Sequence, residues 1–474
     1  MTNLSAQLAG KRVLVLNWRD ISHSQAGGAE QYMHEISRRW VRSGVAVTWF
    51  TGRDAGQATG DNIDGIRIIR SGGPLSLYGQ AALKLLRSRD RFDAVVDCQN
   101  GIPFFSPLFL PRDIPIVQLV HHVHQHQFRT RFSPPMAAFG RFLEKNGAKA
   151  IYGKRSIVAV SPSTRLELRK LGFPGPIHVV PNGTIDVPQA VGPRDPEPTL
   201  TVVSRLVPHK RLDLLLGEFA IAARSVPRLR LEIVGDGPER SRLQQLAMDL
   251  GLDDVVTFHG YQPNAVRDSL LNRAWLTAST SASEGWGCSV IEAAAWGVPC
   301  LALRVPGIRD SVVEERTGWL ADTPKQFGVA LVKALKTLAD PEVARDIAAE
   351  CQNWARCFTW ERSATLLAGV LVEESAFRRQ HPGAAISGPS DMTTLVRFRT
   401  TQGADIRSIL RPTDEIAEKS GLISVLLKGR DEFEAFSVLK SIGVRGAELR
   451  AAGRSMLLAG PGSTFAPVDT ADGL

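Results

Sequence analysis

Two glutamates, Glu284 and Glu292, stand in a short run whose residue types could do chemistry. The run contains Gly285 and Gly287, follows an apolar stretch, and leads into a helix that we predict to begin near Ser289. This spacing places one carboxylate before the helix and the other about one turn inside it, with the backbone N–H groups of the helix start between them. Carboxylates accept hydrogen bonds from hydroxyl groups, and amides at a helix start bind phosphate. The run is therefore equipped to bind a sugar nucleotide.

Residues that could contact a phosphate also occur at two earlier places in the chain. Arg205 and Lys210 follow a predicted strand and precede a predicted helix, so their side chains can converge on a diphosphate. Gly27 and Gly28 precede another predicted helix, where they allow backbone amides to approach an anion or a sugar closely. Alternatively, Arg205 and Lys210 are two solvated cations at a strand-to-helix turn, and Gly27 and Gly28 only permit a tight turn.

The run 283–293 resembles the donor-site motif of the family 4 retaining glycosyltransferases, which have the GT-B fold. The family pattern is a Glu, seven residues and a second Glu in a Glu-Gly-Phe-Gly context, and Trp286 stands here in place of the Phe. The resemblance covers about residues 10–375. Three other segments match parts of the pattern in order: 27–28 its N-terminal Gly-Gly loop, 204–211 its Arg and Lys pair, and 235–239 its Gly-Asp-Gly-Pro turn. The loop at Gly307 departs from the family, which has two adjacent glycines there.

The resemblance implies that a sugar passes from a UDP- or GDP-sugar to an acceptor hydroxyl with retention, and that neither a metal nor a cofactor takes part. It implies that Glu292 binds ribose hydroxyls, Glu284 binds hydroxyls of the donor sugar, and two cations neutralise the leaving diphosphate. The implied catalytic residues are Arg205, Lys210, Glu284 and His121, with His122 and His124 as alternatives for the histidine. The implied donor-binding residues are Gly27, Gly28, Arg205, Lys210, Gly235, Gly237, Glu284, Gly285, Trp286, Gly287, Ser289 and Glu292.

Other functions use some of the same residues. His122, His124 and His126 would share one face of a continued strand, which is compatible with a metal site. The turn at Gly235 could belong to a dinucleotide fingerprint, but Arg240 occupies the place of its third glycine. A sugar-nucleotide epimerase or a phosphorylase could use the same fold, and a non-catalytic sugar-nucleotide-binding protein is a different class.

The composition describes a globular protein of more than one domain. A chain of 474 residues, 43% hydrophobic and 22% charged, is expected to form two or three domains. We find neither a secretory signal nor an apolar run of the ~18 residues that a bilayer crossing needs. Five cysteines without a Cys-x-x-Cys pair argue against a disulfide framework or a zinc site and indicate a reducing cytoplasm.

The net charge of +9 indicates either an anionic binding partner or basic side chains that are simply solvated at the surface. No basic run is interleaved with aromatic residues in the pattern of a nucleic-acid-binding protein. Between residues 129 and 155, basic and apolar side chains alternate in a manner that suits an anionic membrane surface, although a solvated helix with its apolar face in the core has the same pattern. The basic residues are Arg129, Arg131, Arg141, Lys145, Lys149, Lys154 and Arg155, and the apolar ones are Phe132, Met136, Phe139, Phe142 and Leu143.

Strands alternate with helices along most of the chain, a pattern that predicts parallel sheets. We therefore predict an α/β protein of two doubly wound, Rossmann-like domains facing a cleft, plus a small C-terminal α+β module. The predicted segments are an acceptor domain at 1–184, a donor domain at 185–357, a helix at 358–380 that crosses back to the first domain, a linker at 381–392, the module at 393–462 and a disordered tail at 463–474.

Overall fold

The computed structural model describes residues 4–73, 76–87, 91–125, 128, 133–380, 393–399, 406–410, 414–419, 421–428, 430, 435, 438–439, 444 and 447–451. The chain forms two compact units: the first comprises Met1–Pro181 and Trp360–Leu474, and the second comprises Asn182–Thr359. The predicted linker at 381–392 and the predicted tail at 463–474 lie outside the described residues.

The first unit is built on an eight-stranded sheet in the order β3-β4-β2-β1-β5-β6-β7-β8. Its strands are β1 (Arg12–Leu16), β2 (Ala46–Thr51), β3 (Gly60–Ile63), β4 (Ile66–Arg70), β5 (Ala94–Gln99), β6 (Ile116–Val120), β7 (Ile157–Ala159) and β8 (Ile177–Val179). All neighbouring strands pair in parallel except β3 and β4, which form an antiparallel hairpin. The central strands β5 and β6 are buried along their whole length, because a parallel sheet is covered on both faces.

Helices of the first unit follow the strands as the alternating pattern predicts. They are α1 (Gly28–Arg42), α2 (Leu77–Arg87), α3 (Pro134–Phe142), α4 (Ala148–Tyr152) and α5 (Pro162–Lys170), with a π-helical turn at Leu143–Gly147. Met33, Ile36 and Trp40 recur at helical spacing on α1 and are fully buried. Helix α5 begins where the Ser161 hydroxyl accepts a hydrogen bond from the Thr164 amide at 3.0 Å.

A buried carboxylate fixes the loop that follows β5. Asp97 accepts hydrogen bonds from the Phe104 amide at 3.0 Å, from the Ser106 hydroxyl at 2.6 Å, and from the Tyr152 hydroxyl. Burial raises the pKa of the Asp97 carboxyl, and these donors oppose the rise. The loop is therefore tied both to the sheet and to α4.

The second unit contains two parallel three-stranded ladders that are joined into one layer. The strands are β9 (Thr199–Val203), β10 (Arg230–Val234), β11 (Val256–Gly260), β12 (Thr277–Ser279), β13 (Cys300–Leu303) and β14 (Gly318–Ala321). The ladders have the orders β11-β10-β9 and β12-β13-β14, and a parallel bridge between Leu200 and Leu276 connects them. The helices are α6 (Leu212–Ala223), α7 (Arg240–Asp249), α8 (Asn264–Arg273), α9 (Cys288–Ala295), α10 (Ile308–Ser311), α11 (Pro324–Leu338) and α12 (Pro341–Arg356). Both units are thus Rossmann-like, as the sequence predicts.

The second unit begins and ends at neighbouring backbone positions. The Thr184 amide donates to the Phe358 carbonyl at 2.8 Å, and Thr184 also forms a parallel bridge with Thr359. The chain then returns to the first unit as α13 (Trp360–Gln380).

Helix α13 packs on α1 and β6 of the first unit. The Trp40 indole donates to the Ala364 carbonyl at 3.0 Å. Glu374 is fully buried, where it accepts hydrogen bonds from the Ser156 hydroxyl at 2.7 Å and from the Arg378 side chain at 2.9 Å. A carboxylate that is buried with these partners fixes the position of the helix along the sheet, because a shifted helix would leave a buried charge unpaired.

The C-terminal module is a four-stranded antiparallel sheet in the order β16-β17-β15-β18. Its strands are β15 (Thr393–Arg399), β16 (Glu415–Lys419), β17 (Leu422–Lys428) and β18 (Glu448–Ala451). Val396, Phe398, Val425 and Leu427 form a hydrophobic cluster of their own. Ile406–Ile409 forms a 3-10 turn, and Ile406 packs into this cluster.

Of the helices in the described ranges, none combines the length and the apolar character that a bilayer crossing requires.

Truncation after Gln380 should leave a folded chain, because the module has its own hydrophobic cluster and α13 is retained. We expect an unchanged helical circular-dichroism signal and a cooperative thermal transition close to that of the full chain. The matched control is truncation after Thr359, which removes α13 and uncovers Trp40, and this variant should unfold or aggregate. Insoluble protein from the longer truncation would show that the module is needed for folding.

Candidate functional site

The predicted phosphate-binding and sugar-binding residues of the second unit lie in loops that leave one edge of its sheet, except Ser289 and Glu292, which lie on α9 directly after one of these loops. The loops follow β9, β10, β12 and β13. Because these strands are parallel, all four loops begin at the same edge of the sheet, where the carboxyl ends of the strands lie. The loop after β9 contacts the loop after β10 through backbone groups, since the Leu206 amide donates to the Asp236 carbonyl at 2.9 Å. A Cβ atom at Gly235 would lie 1.9 Å from the Ser204 carbonyl oxygen, and one at Gly237 would lie 2.3 Å from the Leu206 carbonyl oxygen. Both glycines thus permit close packing of the two loops.

The turn that carries Lys210 is attached to the segment after β12. The Thr280 hydroxyl lies 3.0 Å from the Lys210 carbonyl oxygen and 2.9 Å from that of Arg211. The Ala282 amide donates to the His209 carbonyl at 2.9 Å. Arg211 has a left-handed φ of 51° at the start of α6, a conformation that costs energy for a residue other than glycine. These contacts hold the turn in one position relative to the first glutamate of the motif.

Lys210 and Glu284 form an ion pair. The Lys210 Nζ atom lies 2.5 Å from the Glu284 Oε1 atom, and the two side chains are 18% and 17% exposed. Burial raises the pKa of the Glu284 carboxyl, but the Lys210 charge, with hydrogen bonds from Lys210 and Ser281, lowers it overall. Glu284 is therefore ionised and accepts hydrogen bonds, as a carboxylate that binds sugar hydroxyls must.

Arg205 is the second predicted cation at this edge. Its side chain is exposed, and it makes no ion pair with any residue of the described ranges. A guanidinium group in this state has its full set of donors available for a diphosphate.

Glu292 lies on α9 and contacts a third cation. Its Oε2 atom is 3.8 Å from the Arg267 Nη1 atom, and both side chains are 15% exposed. Burial raises the pKa of the Glu292 carboxyl; Arg267 opposes the rise and Asp268 adds to it. Burial likewise raises the pKa of the adjacent Cys288 thiol to about 12, so that thiol is uncharged.

The loop between the two glutamates is shaped by close packing. Gly287 caps α9 with a φ of 92°, and a Cβ atom there would lie 2.8 Å from the Ile308 side chain. Gly307 has a φ of 82°, and a Cβ atom there would lie 2.2 Å from the Glu284 carbonyl oxygen. The single glycine at 307 is thus sufficient for the loop after β13 to reach Glu284, whose amide donates to the Pro306 carbonyl at 3.2 Å.

Trp286 is buried rather than presented to a ligand. Its side chain is 3% exposed and packs edge-on against Phe358, with ring centroids 5.0 Å apart. The indole therefore packs beneath the loop and holds it in place. The predicted contact between Trp286 and the donor stays a prediction, and the backbone of Trp286 would make it. Gly285 and Ser289, the remaining predicted donor contacts of the loop, are half-buried at its surface.

In the first unit, the predicted glycines stand at the start of α1. The Gly27 amide donates to the Glu30 carboxylate at 2.8 Å, which is one of the two bonds of a capping box, since Gly27 has no side chain to make the other, and Gly28 is exposed. The loop before these glycines is held by the buried ion pair of Arg70 with Asp20, whose nearest atoms are 2.7 Å apart.

His121 follows the last residue of β6 and packs against α1. Its ring contacts Tyr32 edge-on at a centroid distance of 5.0 Å, and the residue is 9% exposed. Burial, together with the nearby His124, lowers the pKa of His121 to about 3, so the ring is neutral at physiological pH. Its buried Nε2 atom has no hydrogen-bond partner within the described residues.

The neighbouring histidines are placed differently. The His124 amide donates to the buried Glu144 at 2.6 Å, and the Nδ1 atom of its ring lies 3.5 Å from that carboxylate. The His122 and His124 rings contact each other at 5.3 Å, and His126 lies outside the described residues. In the part of the chain that the structure describes, no three His, Cys, Asp or Glu side chains cluster as metal ligands would.

Three site residues were not predicted from the sequence. Thr280 and Ser281 come directly after β12, and their signal is a pair of small hydroxyl residues where an apolar strand ends. Arg267 has no such signal, since it lies on α8 and reaches Glu292 only through the tertiary fold.

Two family models match the chain on either side of the unit boundary. The model "Glycosyltransferase Family 4" matches residues 26–186, and "Glycosyl transferases group 1" matches residues 185–354. N-acetyl-alpha-D-glucosaminyl L-malate synthase of Bacillus anthracis is 34% identical over 156 residues, which are 33% of this chain and 40% of that protein. The GDP-mannose-dependent alpha-(1-6)-phosphatidylinositol monomannoside mannosyltransferase of Mycolicibacterium smegmatis is 31% identical over 182 residues, or 37% and 47% of the two chains. The chain thus spans less than half the length of these relatives.

Among solved structures, Anabaena HepE in complex with UDP and glucose superimposes with a TM-score of 0.59 at 18% identity. The match covers 77% of this chain and all of that one. At this identity, the match demonstrates a shared fold.

Replacing Glu292 by Gln should stabilise the protein at neutral pH, because a buried carboxylate with a raised pKa costs stability when it is ionised. The gain should be present above pH 7 and should disappear below the ordinary glutamate pKa of 4.5, where the acid is protonated in both the folded and the unfolded state. We expect the melting temperature to rise by about 2–4 °C for each kcal/mol that the substitution adds to the free energy of unfolding.

Glu350→Gln is the matched control for this measurement. It removes the same charge from the partly exposed pair with Arg316 and should not stabilise the protein. A Glu292→Gln variant that melts lower than the wild type at pH 7 and equally at pH 4 would contradict the expectation.

Proposed function

The chain belongs to glycosyltransferase family 4, and we propose that it is a retaining, metal-independent hexosyltransferase. It transfers a sugar from a UDP- or GDP-sugar to an acceptor hydroxyl and uses no cofactor. The observation that carries this proposal is the contact of Lys210 with Glu284 at the sheet edge, together with the exposed Arg205 on the loop after β9 that leads to Lys210. These three side chains offer two cations for a diphosphate and one ionised carboxylate for sugar hydroxyls.

The proposed reaction breaks the bond between the anomeric carbon and the diphosphate oxygen. Arg205 and Lys210 stabilise the negative charge that develops on the leaving diphosphate, a role that a metal ion has in other enzymes. The acceptor oxygen bonds to the anomeric carbon on the face that the diphosphate leaves, and its proton passes to a diphosphate oxygen. Retention then follows without a protein nucleophile.

The remaining carboxylate and the first unit complete the proposed assignments. Glu292 accepts hydrogen bonds from the ribose hydroxyls. Gly28 presents its backbone amide at the start of α1, Gly27 lets the chain approach the donor closely while its own amide donates to Glu30, and the neutral His121 ring offers its Nε2 atom to a substrate hydroxyl. A neutral imidazole can accept a hydrogen bond at one nitrogen, which an imidazolium cannot.

The names of the relatives suggest both the nucleotide and the class of acceptor. One relative is dependent on GDP-mannose and acts on a phosphatidylinositol mannoside, and a structural neighbour binds UDP with glucose. We propose for this chain a lipid-linked or cell-envelope glycan precursor as the acceptor, in the cytoplasm at the inner face of the membrane.

The proposal is tested with a panel of UDP- and GDP-sugars, each incubated with the protein while release of nucleoside diphosphate is measured. One or a few of them should be hydrolysed slowly without an acceptor, and transfer should yield a product of unchanged anomeric configuration by NMR. Activity should persist in EDTA, since cationic side chains take the place of the ion.

Three outcomes would contradict the proposal. A sugar nucleotide that is converted into another sugar nucleotide indicates an epimerase, and a requirement for inorganic phosphate indicates a phosphorylase. Binding of sugar nucleotides with no turnover indicates a non-catalytic protein. Loss of activity in EDTA with recovery in Mg²⁺ or Mn²⁺ would disprove the metal-independent mechanism.

The surface of α3 supports the proposed membrane contact. Met136, Phe139 and Phe142 are 50%, 58% and 55% exposed, so this apolar face is not packed in the core. Lys145 and Lys154 are exposed nearby in the chain, while Arg155 is buried 4.0 Å from Glu374 and does not belong to the surface. Arg129, Arg131 and Phe132 lie outside the described residues. Exposed aromatic and basic side chains together favour an interface with anionic lipid.

Replacing Met136, Phe139 and Phe142 together by Ser should reduce the partition coefficient onto phosphatidylglycerol vesicles, measured by co-sedimentation, by more than about tenfold, because burial of each large apolar side chain contributes about 1.5–3 kcal/mol. Donor hydrolysis should be unchanged. The matched control replaces Ile221 and Val329, which are 56% and 75% exposed on the second unit, by Ser. Equal vesicle binding of the wild type and both variants would disprove the membrane surface.

A further inference from the structure

The ion pair of Lys210 and Glu284 joins two groups that the proposed reaction needs for different parts of the donor. Lys210 serves the diphosphate and Glu284 serves the sugar, yet their side chains are 2.5 Å apart and more than four-fifths buried. His209 and Ser281 also act on the Glu284 carboxylate. A diphosphate that binds Lys210 must therefore compete with this carboxylate.

We propose that Glu284 makes the site select sugar nucleotides over sugar-free nucleoside diphosphates, by retaining Lys210 until a ligand supplies partners for both side chains. This inference rests on the proposed function. A full donor gives Lys210 its phosphate oxygens and gives Glu284 hydroxyl groups that donate hydrogen bonds. A nucleoside diphosphate gives Lys210 its phosphate oxygens but leaves the carboxylate without its cation.

The cost of that unsatisfied carboxylate is the source of the selectivity. Removing the partner of a buried charge is strongly unfavourable, because the remaining charge is neither solvated nor paired. Sugar hydroxyls replace the lost cation with hydrogen bonds to a charged group, which are stronger than neutral ones. The same difference favours release of the nucleoside diphosphate after transfer, since Glu284 then recovers Lys210.

The surroundings of the pair allow this exchange without movement of the backbone. Thr280 holds the carbonyl groups of Lys210 and Arg211, so the turn stays in position while the long lysine side chain changes partner. Glu284 is likewise held by its backbone, through the bond from its amide to Pro306. Arg205 is exposed and unpaired within the described residues, so it can attract the diphosphate first.

The test compares the dissociation constants of UDP, GDP, UDP-glucose and GDP-mannose by calorimetry in the wild type and in Glu284→Gln. The glutamine is nearly isosteric but uncharged, so it binds the Lys210 ammonium more weakly than the carboxylate does. We expect Glu284→Gln to bind the accepted nucleoside diphosphate about tenfold more tightly, because truncating one member of a buried charge pair frees the other. The preference of the wild type for the sugar nucleotide over the diphosphate should be lost.

Two controls isolate the ion pair. Glu350→Gln removes a charge from the Arg316 pair in the same unit and should change neither constant. In a Lys210→Met background, Glu284→Gln should no longer improve diphosphate binding.

Unchanged or weaker diphosphate binding by a folded Glu284→Gln variant would overturn the inference. A wild type that binds none of the four nucleotides would instead overturn the proposed function, so the two failures are distinguishable.

Discussion

The arrangement of the site in the second unit depends on one constraint, the close approach of loop backbones at the carboxyl edge of its sheet. The loop after β9 lies on the loop after β10 only because Gly235 and Gly237 have no Cβ atoms. The loop after β13 reaches Glu284 only because Gly307 has none. With these loops in contact, the turn that carries Lys210 can be attached to the segment that carries Glu284.

Opposite charges then determine the state of each glutamate. Lys210 keeps the Glu284 carboxyl ionised in spite of its burial, whereas the more distant Arg267 does not fully offset the burial of Glu292. The pKa values of the two carboxyl groups in the motif therefore shift in opposite directions, and the cause is the position of cations that lie outside the motif. The Arg205 guanidinium makes no ion pair within the described residues, so its N–H groups are available to a ligand.

The fold and much of the site can be predicted from sequence because their signals are local. Apolar runs predict the strands, and Gly287 with the following residues predicts a helix close to the observed α9. The contact of Lys210 with Glu284 joins residues far apart in the chain, and Arg267 reaches Glu292 from another helix, so neither has a local signal. Trp286 was expected at the ligand because of its place in the motif, and its burial against Phe358 depends on the return of the chain after α12.

The return of the chain through α13 has a consequence for biosynthesis. Helix α1 carries Trp40 and Tyr32, which are fully buried, and its partner α13 begins at Trp360. A ribosome must add the roughly 180 residues of the second unit between them, which takes about 10–40 s at 5–20 residues per second. During that interval the part of α1 that later packs on α13 is uncovered on the nascent chain, although the sheet of the first unit is already complete. The adjacent ends of the second unit, joined between Thr184 and Phe358, allow that unit to close on itself before α13 emerges and completes the first.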